Sequence, residues 1–274
     1  MAMPPVNKTL HQETLDRLIT LHQEDSLSHA LLITGPHYVG KETFARKLAT
    51  ALALDQSADV LVFVPESGTP STTQVDELLR HFAYSGQGGG ARVLVFPDAE
   101  MLVPEIHQKI LKTLEEPLPN RYVFLTTPTR ESLLPTLVSR SVEVPLLPVS
   151  AEVLHQHFPA NGTPEFFFDL GLPGLLAYRD SDPEIFAKYQ AVLGKLFRLQ
   201  TQSLAARVTL ASDIVALGEA GSGLVSLWLR WLANQGGVPL SFLEAAADTI
   251  GALRPGVNAL LQYEALLIRY PYGH

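Results

Sequence analysis

The sequence predicts an α/β fold: a parallel-sheet core of the phosphate-loop type, then a small helical domain, then an all-α C-terminal domain. Three observations carry this. Up to Pro148, short apolar runs alternate with amphipathic helical stretches. Strands that are apolar throughout need both faces covered, as in a parallel sheet flanked by helices. After Pro148 the strand pattern stops. Between the first strand and the first helix after it stands GPHYVGK, Gly35 to Lys41.

The elements follow in order. HALLITG (29–35) reads as a buried strand ending in glycine, and 41–54 as a helix with Phe44, Leu48 and Leu52 on one face. VLVFV (60–64) reads as a second buried strand. Residues 72–82 form a helix with Val75, Leu78, Leu79 and Phe82 along one face. RVLVF (92–96) is the third strand. The helix over 104–114 opens on Pro104, where a missing N–H costs nothing. YVFLTT (122–127) is the fourth strand, 132–139 a short helix and VEV (142–144) the fifth strand. Residues 150–180 read as two or three short helices broken at NGTP (161–164) and GLPG (171–174). Beyond Pro183 the chain is helical, with Leu224, Trp228 and Trp231 sharing a face and a last long helix over 257–268. The domains are therefore placed at 1–148, 149–182 and 183–274. SGQGGG (85–90) reads as a flexible loop entering a strand.

With 274 residues, 46% hydrophobic and 18% charged, the chain can build a core and more than one domain. A net charge of −8 argues against a surface coated by nucleic acid, which needs many cations to displace counterions. The absence of cysteine excludes disulfides and thiolate metal sites. The nine histidines show no convincing ligand spacing and read as scattered surface residues, so no metal site is expected. No window approaches the ~20 apolar residues of a membrane span and the N-terminus has no signal core, so a soluble, cytoplasmic protein is expected.

A working phosphate loop needs a preceding strand, glycines that let backbone N–H groups close on phosphate, a helix N-terminus, a lysine, and a hydroxyl that holds magnesium. Gly35, Gly40 and Lys41 are in place. Glu42 stands where the hydroxyl belongs, and Thr43 comes one residue late, about 100° further round the helix. A second acidic site is needed at a strand end. In RVLVFPDAE, Pro97 occupies the metal-ligand position and Asp98 the water-orienting one. In the shifted register Asp98 binds metal and Ala99 replaces the base. Hydrolysis is impaired either way. Asp98 and Glu100 also read as residues that merely cap the strand.

Residues 105–141, EIHQKILKTLEEPLPNRYVFLTTPTRESLLPTLVSRS, resemble the delta-prime subunits of bacterial clamp loaders, AAA+ proteins of the DNA polymerase III holoenzyme. LKTLEEP, LTT, LLPT and SRS carry the likeness, which extends to SHALLITGPHYVGK, GLPG and VNALLQYEALLI. The resemblance implies an AAA+ core, a helical lid and a collar. It implies a hetero-oligomeric ring with gamma/tau and delta subunits that loads the sliding clamp on primed DNA, as part of a nucleotidyltransferase complex. It implies that Arg140 of SRS is an arginine finger acting in trans and that Thr127 is sensor-like. Without the family, Arg140 reads as a surface cation paired with a carboxylate. Lys112, Glu115 and Glu116 read equally as motif residues or as helix-surface pairs, and Gln108 takes a family relay position.

The departures point one way. No cysteine follows the first helix after the phosphate loop, so the family's zinc is not expected. Pro97 replaces the metal Asp, and Leu175 follows GLPG where a second sensor arginine is usual. A non-hydrolysing scaffold fits best, with Gly35, Gly40, Lys41 and Thr43 a vestigial nucleotide site at which ATP binding stays open. The alternatives are an active gamma/tau-like ATPase and a stand-alone interaction module on a dead phosphate-loop core.

Overall fold

The computed structural model describes residues 10–53, 59–65, 71–83, 91–236, 238–251 and 258–270. Within them the chain forms two compact units, Met1–Gly174 and Leu175–His274. The 85–90 loop, residues 54–58 and Val257 lie outside the described residues.

In the first unit five strands alternate with helices: β1 (Ala30–Thr34), β2 (Val60–Val62), β3 (Arg92–Phe96), β4 (Arg121–Thr127) and β5 (Val142–Pro145). They form one sheet in the order β2-β3-β4-β1-β5, and every pairing is parallel. The central strands read as apolar runs because both faces are covered: β1 and β4 are buried almost throughout. On one side Leu32, Leu94, Phe96 and Leu125 pack with Ile106, Ile110 and Leu114 of α4 (Pro104–Glu115) and with Val75 and Phe82 of α3 (Thr72–Ala83). Helix α2 (Lys41–Leu52) buries Phe44, Ala45, Leu48 and Leu52.

This unit corrects three readings and adds one helix that the sequence pattern did not reveal. VLVFV is an edge strand of three half-buried residues, not a fully buried one, and Val64 beyond it is 60% exposed. The expected helix over 132–139 divides into a 3-10 turn at Arg130–Ser132 and α5 (Pro135–Ser139), because Pro135 can start a helix but not continue one. A helix, α1 (Gln12–Gln23), precedes β1 and packs on α2 through Leu15 and Leu18. His107 is not a surface residue: it is buried in α4, with Nε2 2.9 Å from the Ala99 carbonyl oxygen.

After Pro145 the described regular structure is helical: α6 (Ala151–His157), α7 (Phe166–Asp169), α8 (Pro173–Ser181), α9 (Pro183–Leu196), α10 (Leu204–Ala216), α11 (Glu219–Gln235), α12 (Leu240–Gly251) and α13 (Ala259–Arg269). In the second unit Trp228, Phe242 and Tyr270 meet at ring-centroid distances of 5.2 to 6.4 Å. Arg207 is fully buried, and its Nη1 donates to the carbonyls of Leu267 (3.0 Å) and Tyr270 (2.7 Å). A cation there satisfies acceptors that a helix C-terminus leaves open, and ties α10 to the end of α13.

Candidate functional site

The parallel register brings the C-terminal ends of β1 and β4 level, with Thr34 opposite Thr127, and on the other side β1 ends beside Pro145. Ligands of open α/β sheets bind at this edge. The chain leaves β1 into Gly35, whose N–H donates to the Pro128 carbonyl at 3.2 Å. Gly35 has φ 153°, and a Cβ there would stand 2.5 Å from the Leu146 carbonyl oxygen, so the first turn of the loop requires glycine. Gly40, at φ 95°, turns the chain into α2.

Lys41 does not reach outward. Its Nζ donates to the carbonyls of Gly35 (2.9 Å) and Pro36 (3.1 Å), inside its own loop. It is buried, and that burial lowers its pKa, while Asp98 and Glu100 act in the opposite sense. Glu42 turns away along α2 and pairs with Arg46 at 2.7 Å. Thr43 is exposed on the same helix, away from the loop.

The loop is held from a second side by the GLPG segment. The Gly174 N–H donates to the Tyr38 carbonyl at 2.7 Å, and a Cβ at Gly174 would lie 2.7 Å from that oxygen. Sequence reading took GLPG as a helix break and a family signature. Its glycine is the residue that lets α8 start against the loop.

The acidic segment takes a shape that the strand pattern did not reveal. Asp98 adopts a left-handed conformation (φ 44°), and its N–H donates to Thr126 Oγ1 at 3.0 Å. Its side chain is exposed, and Pro97 offers no side-chain ligand for a metal. The residue turned inward is Glu100. Burial pushes its carboxyl above the ordinary glutamate range, the Asp98 charge adds to this, and Thr127 and Lys41 oppose it. Glu100 Oε2 is buried without a hydrogen-bond partner. Thr127, itself fully buried, faces this carboxyl and donates to the Thr129 carbonyl at 3.1 Å. Lys41, Glu100 and Thr127 thus converge at the sheet edge, with Asp98 on the rim. The i, i+2 step from Asp98 to Glu100 was visible in sequence, but which acid points inward depends on the left-handed turn.

A magnesium-nucleotide does not fit this arrangement as it stands. The lysine is engaged by its own loop, the hydroxyl of Thr43 is turned out, and position 97 has no ligand.

Arg140 is placed otherwise. It caps the C-terminus of α5, where its Nη1 donates to the Thr136 carbonyl at 3.3 Å. Its Nη2 pairs with Glu115 Oε1 at 2.9 Å. The side chain is 39% exposed, so the guanidinium is open to an approaching group.

A family model described as DNA polymerase III, delta subunit, matches residues 52–150, the stretch that contains the acidic segment, LKTLEEP and SRS. Three curated relatives carry the name DNA polymerase III subunit delta'. That of Pseudomonas aeruginosa is 28% identical over 42% of this chain and 42% of its own length. That of Yersinia pestis is 39% identical over 30% of this chain and 25% of its own, and that of Escherichia coli 29% identical over 46% and 44%. Over these stretches the chain is similar to delta-prime subunits of DNA polymerase III. It spans less than half the length of the curated relatives it matches.

The solved structure of a DNA polymerase III gamma subunit-related protein from Thermotoga maritima covers 93% of this chain and 96% of its own, with a TM-score of 0.56 and 19% identity. That likeness shows the fold: a parallel α/β core followed by a helical C-terminal part. On this fold the motif residues Gln108, Lys112 and Glu116 are exposed along or just after α4, and Leu175 is fully buried. Glu115 is tied to Arg140 across two elements rather than to a neighbour on its own helix. No helix among the described residues is long and apolar enough to cross a membrane.

Proposed function

We propose that this chain is a clamp-loader subunit of the delta-prime type. It assembles with gamma/tau and delta subunits into a cytoplasmic hetero-oligomer that loads the sliding clamp on primed DNA. It does not hydrolyse ATP itself, and it supplies Arg140 to the ATP site of a neighbour. In this reading residues 1–148 are the AAA+ core, 149–182 the lid and 183–274 the collar. The end of the last strand at Pro145 and the start of α9 at Pro183 support those bounds.

The observation that carries the reading is the contrast between two cations. Lys41, which an active site would aim at phosphate, is buried against carbonyls of its own loop. Arg140, which contributes nothing to that loop, is exposed at the end of α5. A guanidinium presented to a neighbour's nucleotide stabilises charge on the transferred phosphoryl group. The test is to co-purify the chain with its gamma/tau and delta subunits and assay the isolated chain for ATP turnover. Stable assembly without turnover supports the proposal.

One observation favours a second reading. Lys41, Glu100 and Thr127 do converge, as in an active ATPase. Magnesium-dependent turnover by the isolated chain, abolished by Lys41→Ala, decides for it.

A further inference from the structure

We infer that Glu115 is the positioning residue of the Arg140 finger, an inference that rests on the trans-acting role proposed above. Glu115 is the last residue of α4. A carboxylate in the final turn of a helix opposes the helix dipole, so its own helix gives no reason for it to be there. It has a reason across the fold. Its Oε1 takes Nη2 of Arg140 at 2.9 Å, while Nη1 of the same guanidinium donates to the Thr136 carbonyl at 3.3 Å. The two acceptors hold two different nitrogens of a planar group, and that fixes its plane as one acceptor would not. Helices α4 and α5 pack together, so the contact joins the LEEP end of one helix to the SRS end of the next. Both side chains are part-exposed, at 39% for Arg140 and 50% for Glu115. The pair therefore contributes little to stability. What it supplies is direction: a flexible arginine is restricted to one presentation before the neighbouring subunit arrives, and less ordering is left to be done at docking.

The test uses the loader reconstituted with gamma/tau and delta subunits and compares wild type, Glu115→Gln, Arg140→Ala and the double variant. Glu115→Gln keeps the shape and removes the charge. DNA-dependent kcat for ATP is expected to fall roughly two- to fivefold, with KM for ATP unchanged, because positioning acts on the finger and not on nucleotide binding. In the Arg140→Ala background the same change should have no further effect. Glu115→Asp should recover part of the loss. A Glu115→Gln loader at full kcat, or an added loss in the Arg140→Ala background, overturns the inference and leaves the finger standing. If Arg140→Ala itself leaves the rate unchanged, the finger fails and the inference with it.

Discussion

Lys41 and Glu100 show how little of a site's chemistry is set by which residue types are present. The lysine is in the position that phosphate loops require, yet its ammonium is spent on the Gly35 and Pro36 carbonyls. The carboxyl facing it belongs to Glu100, because the left-handed turn at Asp98 sends the first acid to the rim and the second inward. The glycines and the lysine could be read in the sequence. The choice between the two acids could not, since it depends on a single backbone torsion. Glu100 carries a pH signature. Its folded pKa is raised, so its contribution to stability is full below the ordinary glutamate range and is lost as pH rises through the folded value. Glu100→Gln should therefore melt higher than wild type at about pH 8, and the difference should close toward about pH 4. Thermal melts across that range check this, and equal melting temperatures at pH 8 would contradict it.

At the scale of elements, the legible parts were those with unbroken patterns. RVLVF gave β3 at its observed bounds, and the helix opening on Pro104 gave α4 to within a residue. Strand existence was legible too, but its depth was not. VLVFV is as apolar as a central strand, and it lies at the edge because of where the chain crosses over. Helix α1 was overlooked because only Leu15 and Leu18 of its residues are buried. Two contacts between elements make predictions. Gly174→Ala puts a methyl 2.7 Å from the Tyr38 carbonyl oxygen, a rigid backbone atom. It should cost about 1–3 kcal/mol and lower the melting temperature. Arg207→Met removes two charge-assisted hydrogen bonds from the end of α13. It should destabilise the chain by about 2–4 kcal/mol, seen as an earlier urea transition.

For the whole molecule, the α/β core with a helical C-terminal part followed from the place where strands cease, and the likeness to delta-prime subunits from LKTLEEP and SRS. The function joins these to a property of neither alone. The proposal of a subunit that completes another's site rests on a phosphate loop closed on its own lysine and an arginine held outward. The central claim is the finger. The most direct measurement is the DNA-dependent ATPase of the reconstituted loader carrying Arg140→Ala in this chain. An arginine finger is worth on the order of 10³-fold at its site, so the assembled rate should fall by that site's whole share. An unchanged rate in a fully assembled complex would contradict the account.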